Sequence, residues 1–137
     1  MKRTADAVWN GGLKEGNGTF GVGSGAFKDQ KFSFRTRFEA EPGTNPEELI
    51  AAAHASCFSM ALSAQLGERG ITAESVATTA TINFENLTLT QSLLATTVTA
   101  SGADKAKIEE AAAAAKAGCP ISKVLKLEIV LELKVVT

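Results

Sequence analysis

Two cysteines, Cys57 and Cys119, are the residues of this 137-residue chain best able to do covalent chemistry. Cys57 sits in the run HASCFSMAL (54–62), among Ala, Ser, Met, Leu and Phe, and Cys119 lies between Gly118 and Pro120. Two thiols can hold a metal, exchange electrons or simply pack. A zinc site needs more ligands at closer spacing than these far-separated cysteines and the single histidine, His54, provide. Free cysteine is also among the most buried residue types and packs as a small hydrophobe. Redox chemistry and packing therefore stand side by side. A disulfide between the two requires Cα atoms within about 4.4–6.8 Å of each other, which spacing alone does not establish.

A reactive cysteine has to be ionised, and an ordinary one titrates near 8.5, leaving only a few per cent thiolate at neutral pH. A guanidinium close by shifts that balance. Arg35 and Arg37 are the candidates: FSFRTRFE (32–39) alternates, with Phe32, Phe34, Thr36 and Phe38 on one face and both arginines on the other. The pair is either an ordinary solvated face or the source of a cation that stays charged and can hydrogen-bond a peroxide oxygen. A cation in a buried site needs a countercharge. Glu47 or Glu48 can supply it, although both also suit the positive end of a helix dipole. Glu47 and Cys57 are ten positions apart, roughly 15 Å on a straight helix. They share a site only if the helix breaks, if an arginine bridges the gap, or if Glu47 comes from a second subunit. His54 stands one turn before Cys57. No third group is evident to orient it as a hydrolase base, so it reads as a packed or hydrogen-bonded histidine.

The elements that must position these groups follow from periodicity and caps. The first 45 residues hold most of the glycines and read as strands and turns, with Asn10-Gly11 as a hairpin dipeptide. Asn45-Pro46-Glu47-Glu48 is a helix start, with Asn45 as N-cap, Pro46 at the first helical position and Glu48 placed for a capping box. The helix continues to about Arg69. It is apolar or small nearly all round, more than one small domain can cover, which predicts a partner subunit on part of it. Strands follow over 75–85 and 88–99, then a helix over 101–117 with Ile108, Ala111, Ala112 and Ala115 inward. A short turn at ISKVL leads to a last strand alternating from Leu127 to Val135. The order predicts one α+β domain over 1–137, with antiparallel sheets wrapped around a long central helix.

Composition narrows the function classes. Apolar residues make up 45% and charged ones 21%, with a formal charge of −1. This is a globular composition, without the basic footprint of a nucleic-acid or anionic-membrane binder. No apolar h-region follows the basic start and no stretch reads as a membrane span, so the expectation is a cytoplasmic protein without nucleic-acid or membrane partners.

TRFEAEPGTNPEELIAAAHASCFSMAL (36–62) closely resembles the signature segment of the OsmC/Ohr family of thiol-dependent peroxidases, and KAGCPISKVLK (116–126) resembles its second cysteine motif. AVWNGGLKEGNGTF and the final alternating strand fit as well, so the likeness spans nearly the whole chain. AAHASCF is similar to the osmotically inducible OsmC branch. The resemblance implies an OsmC-like fold and an intertwined homodimer with active sites at the subunit interface. It implies that Cys57 is the peroxidatic thiolate, Cys119 the resolving cysteine, Arg37 the residue that stabilises the thiolate and positions the peroxide, and Glu47 the residue that holds Arg37. It further implies organic hydroperoxide as substrate, an external dithiol of lipoyl type as reductant, a role in oxidative and osmotic stress defence, and no metal, haem or flavin cofactor. The contrasting expectation, from the residues alone, is a non-catalytic dimeric domain that binds a small apolar ligand, with both cysteines packed.

Overall fold

The computed structural model describes residues Met1–Thr137, which divide into two compact units, Met1–Leu49 and Ile50–Thr137. The first unit is a three-stranded antiparallel sheet of β1 (Ala5–Asn10), β2 (Asn17–Val22) and β3 (Gln30–Phe32), in that order, followed by the short helix α1 (Phe34–Phe38). Asn10-Gly11 does open the first turn, but the loop runs to Gly16 before β2 begins, longer than a two-residue hairpin. An aromatic cluster sits on the sheet: the Phe32 ring lies 5.5 Å from Trp9 and 5.7 Å from Phe20. Gly18 makes room for it, since a Cβ there would fall 2.7 Å from the Phe32 ring.

The alternating run 32–39 is not the strand its pattern predicts. β3 pairs with β2 only as far as Phe32 opposite Gly18. Beyond that point β2 has given way to the turn, where the Gly16 N–H already donates to the Gly12 carbonyl at 2.8 Å. With no ladder to join, the backbone satisfies itself locally. The Ser33 hydroxyl accepts from the Thr36 N–H at 3.3 Å and the Ser33 N–H donates to the Thr36 hydroxyl at 2.9 Å. This reciprocal cap starts a single helical segment. In a helix, residues two apart do not share a face, so Arg35 and Arg37 part company.

The helix α2 (Pro46–Glu68) starts where expected: the Asn45 side chain accepts from the Glu48 N–H at 2.8 Å. Glu48 does not close the capping box in the predicted way; its carboxylate accepts from the Thr44 hydroxyl at 3.0 Å. Gly70, at φ +72°, ends the segment, with the Ile71 N–H donating back to the Leu66 carbonyl at 3.0 Å, the left-handed stop that glycine favours. By length and composition α2 is apolar enough to cross a membrane, with a mean hydropathy of 1.4 over 18 residues. That corrects the expectation that no stretch qualifies.

In the second unit β4 (Ser75–Glu85) and β5 (Thr88–Thr99) form the two long strands expected, followed by α3 (Lys105–Gly118), α4 (Pro120–Val124) and β6 (Glu128–Val136). The sheet order is β4-β5-β6. β4 and β5 pair antiparallel, but β6 pairs parallel to β5, Gln91 opposite Glu128 through Thr99 opposite Val136. The sheet is therefore mixed, not antiparallel throughout. The α3–α4 connection is the crossover that a parallel pair requires. ISKVL, read as a turn, is mostly the short helix α4.

Phe58, Leu62 and Leu66 of α2 are buried with Leu94 and Val98 of β5 and Ile108, Ala111, Ala112 and Ala115 of α3. The α3 stripe is the one predicted. Leu62 is fully buried in this cluster, so Leu62→Ala is expected to lower the unfolding free energy by about 2–5 kcal/mol, read from the urea midpoint at unchanged m-value. Another face of α2 stays open: Ala52, Ala53, Ser56 and Ala64 are exposed and Met60 is 75% exposed.

Candidate functional site

The break between α3 and α4 decides where the second cysteine points. Cys119 caps both helices at φ −58°, ψ 124°. Its N–H closes α3 on the Ala115 carbonyl at 2.8 Å and its carbonyl accepts from the Lys123 N–H at 3.1 Å. Pro120 holds the first position of α4, where its missing N–H costs nothing. This corner turns the Cys119 side chain into the core, fully buried, while Cys57 on α2 is half-buried. Both are free thiols, and their Sγ atoms lie 3.0 Å apart, within thiol hydrogen-bond distance. Two residues 62 positions apart are thus already nearly in bonding contact.

The pair is electrostatically uneven. Burial raises the Cys57 thiol above its ordinary range, and hydrogen bonding with Cys119 raises it further, against a smaller lowering from the Ile121 backbone. Burial raises Cys119 too, but hydrogen bonds from Cys57, from the backbone and hydroxyl of Ser122 and from the Ile121 backbone outweigh it and leave Cys119 lowered. Hydrogen bonds to the charged form favour it. Within this unit, then, the groups around the sulfurs favour the anion on Cys119, and the ionisation of Cys57 expected from the sequence needs a cation from elsewhere.

In the first unit, Arg37 and Glu47 form a close pair. The guanidinium donates from Nη2 to Glu47 Oε1 at 2.8 Å and from Nε to Oε1 and Oε2 at 3.1 and 3.4 Å. It also lies 5.2 Å from the centre of the Phe38 ring. Glu47 is only 12% exposed and Arg37 39%. The reason this arginine meets this glutamate is local. Asn45, which caps α2, also donates from Nδ2 to the Thr36 carbonyl at 3.2 Å, tying α1 to the start of α2. Arg35 instead makes only an exposed contact with Glu39 at 4.0 Å, and Glu48 is turned to Thr44. Of the two arginines and two glutamates open from the residues alone, the structure pairs Arg37 with Glu47, within one chain. It places this pair in the first unit and the two thiols in the second. α2 is continuous from Pro46 to Glu68, which removes the broken-helix option.

His54 is fully buried and hydrogen-bonded at both ring nitrogens, to the Ser92 hydroxyl at 2.7 Å and the Ser122 hydroxyl at 2.8 Å. It is the hydrogen-bonded histidine expected. The serines were not anticipated; only the short spacing from Cys119 to Ser122 hinted at one of them. Burial pushes His54 below its ordinary value of 6.5. The unfolded chain therefore takes up this proton first as pH falls. The stability contributed by a neutral His54 is complete above about 6.5 and is lost as pH falls from there toward the lowered folded value. Urea midpoints measured at about pH 7.5 and about pH 5.5 are expected to drop for the natural chain and to drop less for His54→Asn.

The chain is similar to known proteins over nearly its full length. The family model described as OsmC-like protein matches residues 38–134. Peroxiredoxin OsmC of Escherichia coli (strain K12) is 46% identical over 136 residues, covering 96% of this chain and 95% of that protein. Among solved structures, the organic hydroperoxide resistance protein OhrB of Bacillus subtilis is similar at a TM-score of 0.66 and 25% identity, covering 96% of this chain and 97% of that one. An OsmC-like protein of unknown function from Vibrio cholerae has a TM-score of 0.77 at 19% identity, covering 97% and 99%, a likeness of fold.

Proposed function

This chain belongs to the OsmC family, and from that premise we propose that it is a thiol-dependent peroxidase that reduces organic hydroperoxides to alcohols in stress defence. The observation that carries the reading is the 3.0 Å separation of two free thiols, one half-buried and one fully buried. The Cys57 thiolate attacks the distal peroxide oxygen. The O–O bond breaks, the alkoxide leaves and takes up a proton as the alcohol, and Cys57 becomes a sulfenic acid. Cys119 then condenses with it: an S–S bond forms, the S–O bond breaks and water leaves. An external dithiol reduces the disulfide by exchange and is itself oxidised to a disulfide.

Arg37 is assigned the cation that stabilises the Cys57 thiolate and offsets charge on the departing alkoxide, with Glu47 as its holder. The support for this is that Arg37 is held side-on by a mostly buried carboxylate. The whole chain acts as one domain and as a homodimer. The open α2 face with its exposed Met60, and a β1 strand exposed along its length, support a second copy. A lipoyl-type dithiol is the reductant assigned, because a cyclic disulfide product drives the exchange, and the cytoplasm is the compartment assigned, because the cycle consumes reduced thiol.

One equivalent of cumene hydroperoxide, followed by mass spectrometry, tests the reading. The expected product is a chain lighter by two hydrogens, with a Cys57–Cys119 link in the peptide map and one equivalent of cumyl alcohol. Two unreacted thiols with the peroxide intact would instead point to packing cysteines and a ligand-binding module.

A further inference from the structure

The peroxide cycle leaves one buried, titratable side chain without a task. His54 is fully buried on α2, one turn before Cys57, and both of its ring nitrogens are engaged. Nδ1 meets the Ser92 hydroxyl at 2.7 Å and Nε2 meets the Ser122 hydroxyl at 2.8 Å. The two serines belong to different elements. Ser92 is on β5, the middle strand of its sheet, opposite Ile82 on one side and Ile129 on the other. Ser122 is on α4, three residues past Cys119. A neutral imidazole offers one donor and one acceptor, and a serine hydroxyl serves as either, so both contacts form with no charge in the core.

The two contacts hold very different things. β5 is already fixed by a ladder on each side. α4 is five residues long, a single turn too short to be stable by itself. Pro120, Lys123 and Val124 are exposed and Ile121 is half-buried, and Ser122 is the one side chain that α4 buries. The hydrogen bond between Ser122 and His54 is therefore the buried polar tie between this turn and α2. Cys119 is the N-cap of α4, its carbonyl accepting from the Lys123 N–H at 3.1 Å, so the Cys119 corner moves with α4. Cys57 stands on α2. The two sulfurs are thus carried by the two elements that His54 joins, with the middle strand of the sheet as its anchor.

We propose that His54 is a positioning residue for disulfide closure: bonded to Ser122, it holds α4 against α2 and so keeps the Cys119 sulfur within reach of oxidised Cys57. The inference rests on the peroxidase reading above and concerns its second step alone. In that step the Cys119 thiol and the Cys57 sulfenic acid join, an S–S bond forms, the S–O bond breaks and water leaves. The sulfurs, 3.0 Å apart in the reduced chain, end about 2.05 Å apart, so a corner already held at contact has little distance to travel. Released from His54, α4 has no other buried side chain of its own to fix it, and a misplacement of about 1 Å costs a reaction of this kind roughly 10²-fold. The slower the closure, the longer the sulfenic acid stands open to a second peroxide.

Two amide substitutions separate the contacts. The shorter His54→Asn places its amide near Nδ1, keeping Ser92 and releasing Ser122; the longer His54→Gln reaches the Nε2 position, keeping Ser122 and releasing Ser92. Ser122→Ala and Ser92→Ala make the same two cuts from the other side, and serve if the His54 variants do not fold. Every variant loses one buried hydrogen bond, so a role in stability alone would treat both sets alike. Each is mixed with one equivalent of cumene hydroperoxide and quenched over time, with sulfenic acid trapped by a cyclic dione and disulfide read by mass; urea midpoints are measured alongside. Closure is expected to slow about 10²-fold in His54→Asn and Ser122→Ala, with sulfinic acid accumulating at Cys57 under excess peroxide. His54→Gln and Ser92→Ala should close near the natural rate despite a similar loss of stability. Closure rates that do not differ between the two sets, whether all slow or all natural, overturn the positioning role and leave the peroxidase intact. A natural chain that forms neither sulfenic acid nor disulfide overturns the peroxidase reading itself.

Discussion

Cys57→Ser is expected to lower peroxide turnover by about 10⁴-fold or more, the scale seen when an enzyme loses its nucleophile. Serine keeps the size and most of the hydrogen bonding, so circular dichroism should not change. What it loses is a thiolate: a hydroxyl is essentially un-ionised near neutral pH and is a poor nucleophile toward a peroxide oxygen. Cys119→Ser should behave differently. Cys57 can still take oxygen from one peroxide, but no sulfur now stands 3.0 Å away to cap the sulfenic acid. Repeated peroxide therefore drives Cys57 to sulfinic and sulfonic acid, which thiols do not reverse. The measurement is intact mass: added oxygens on the Cys119→Ser chain, and none at residue 57 of the natural chain under the same dose with a dithiol present. A Cys57→Ser chain that still turns over, or a Cys119→Ser chain that resists over-oxidation, contradicts the assigned roles.

Arg37→Ala is the second large effect, an expected loss of about 10²–10³-fold in kcat/KM, the range for removing one donor that meets developing charge. The sign of its pH dependence follows from Cys57. Burial and the contact with Cys119 raise that thiol, so on the role proposed for Arg37 its removal leaves the thiolate to be made by alkaline solvent. The variant's rate should climb as pH rises above neutral, where the natural enzyme has levelled off. Arg37→Lys should not restore the rate, because Glu47 is gripped through both Nε and Nη2 and an ammonium has no such fork. Glu47→Gln should fall between the two, since it releases Arg37 without removing its charge. A full rate at neutral pH in Arg37→Ala would take Arg37 out of the site.

Much of this protein was legible in its residues because the signals involved are short-ranged. The Asn45-Pro46 start of α2, the two strands at 75–85 and 88–99 and the inward stripe Ile108, Ala111, Ala112 and Ala115 depend on periodicity and caps within a few residues. The family motif around Cys57 and Cys119 was equally plain. What the chain does over longer distances was not. FSFRTRFE alternates like a strand, but a strand needs a neighbour, and β2 ends opposite Phe32. Ser33 and Thr36 then cap a helix instead, which alone separates Arg37 from Arg35. The parallel pairing of β6 with β5 likewise depends on where the α3–α4 crossover delivers the chain, not on the alternation within β6. The 3.0 Å between two sulfurs 62 positions apart, and the serines that bracket His54, arise only when α2, β5 and α4 are packed together. Residue types chose the chemistry available to this chain, because a thiol or a guanidinium carries its reactivity with it; distances, burial and proton sharing came from tertiary packing, because each is a property of neighbours that the linear order does not list.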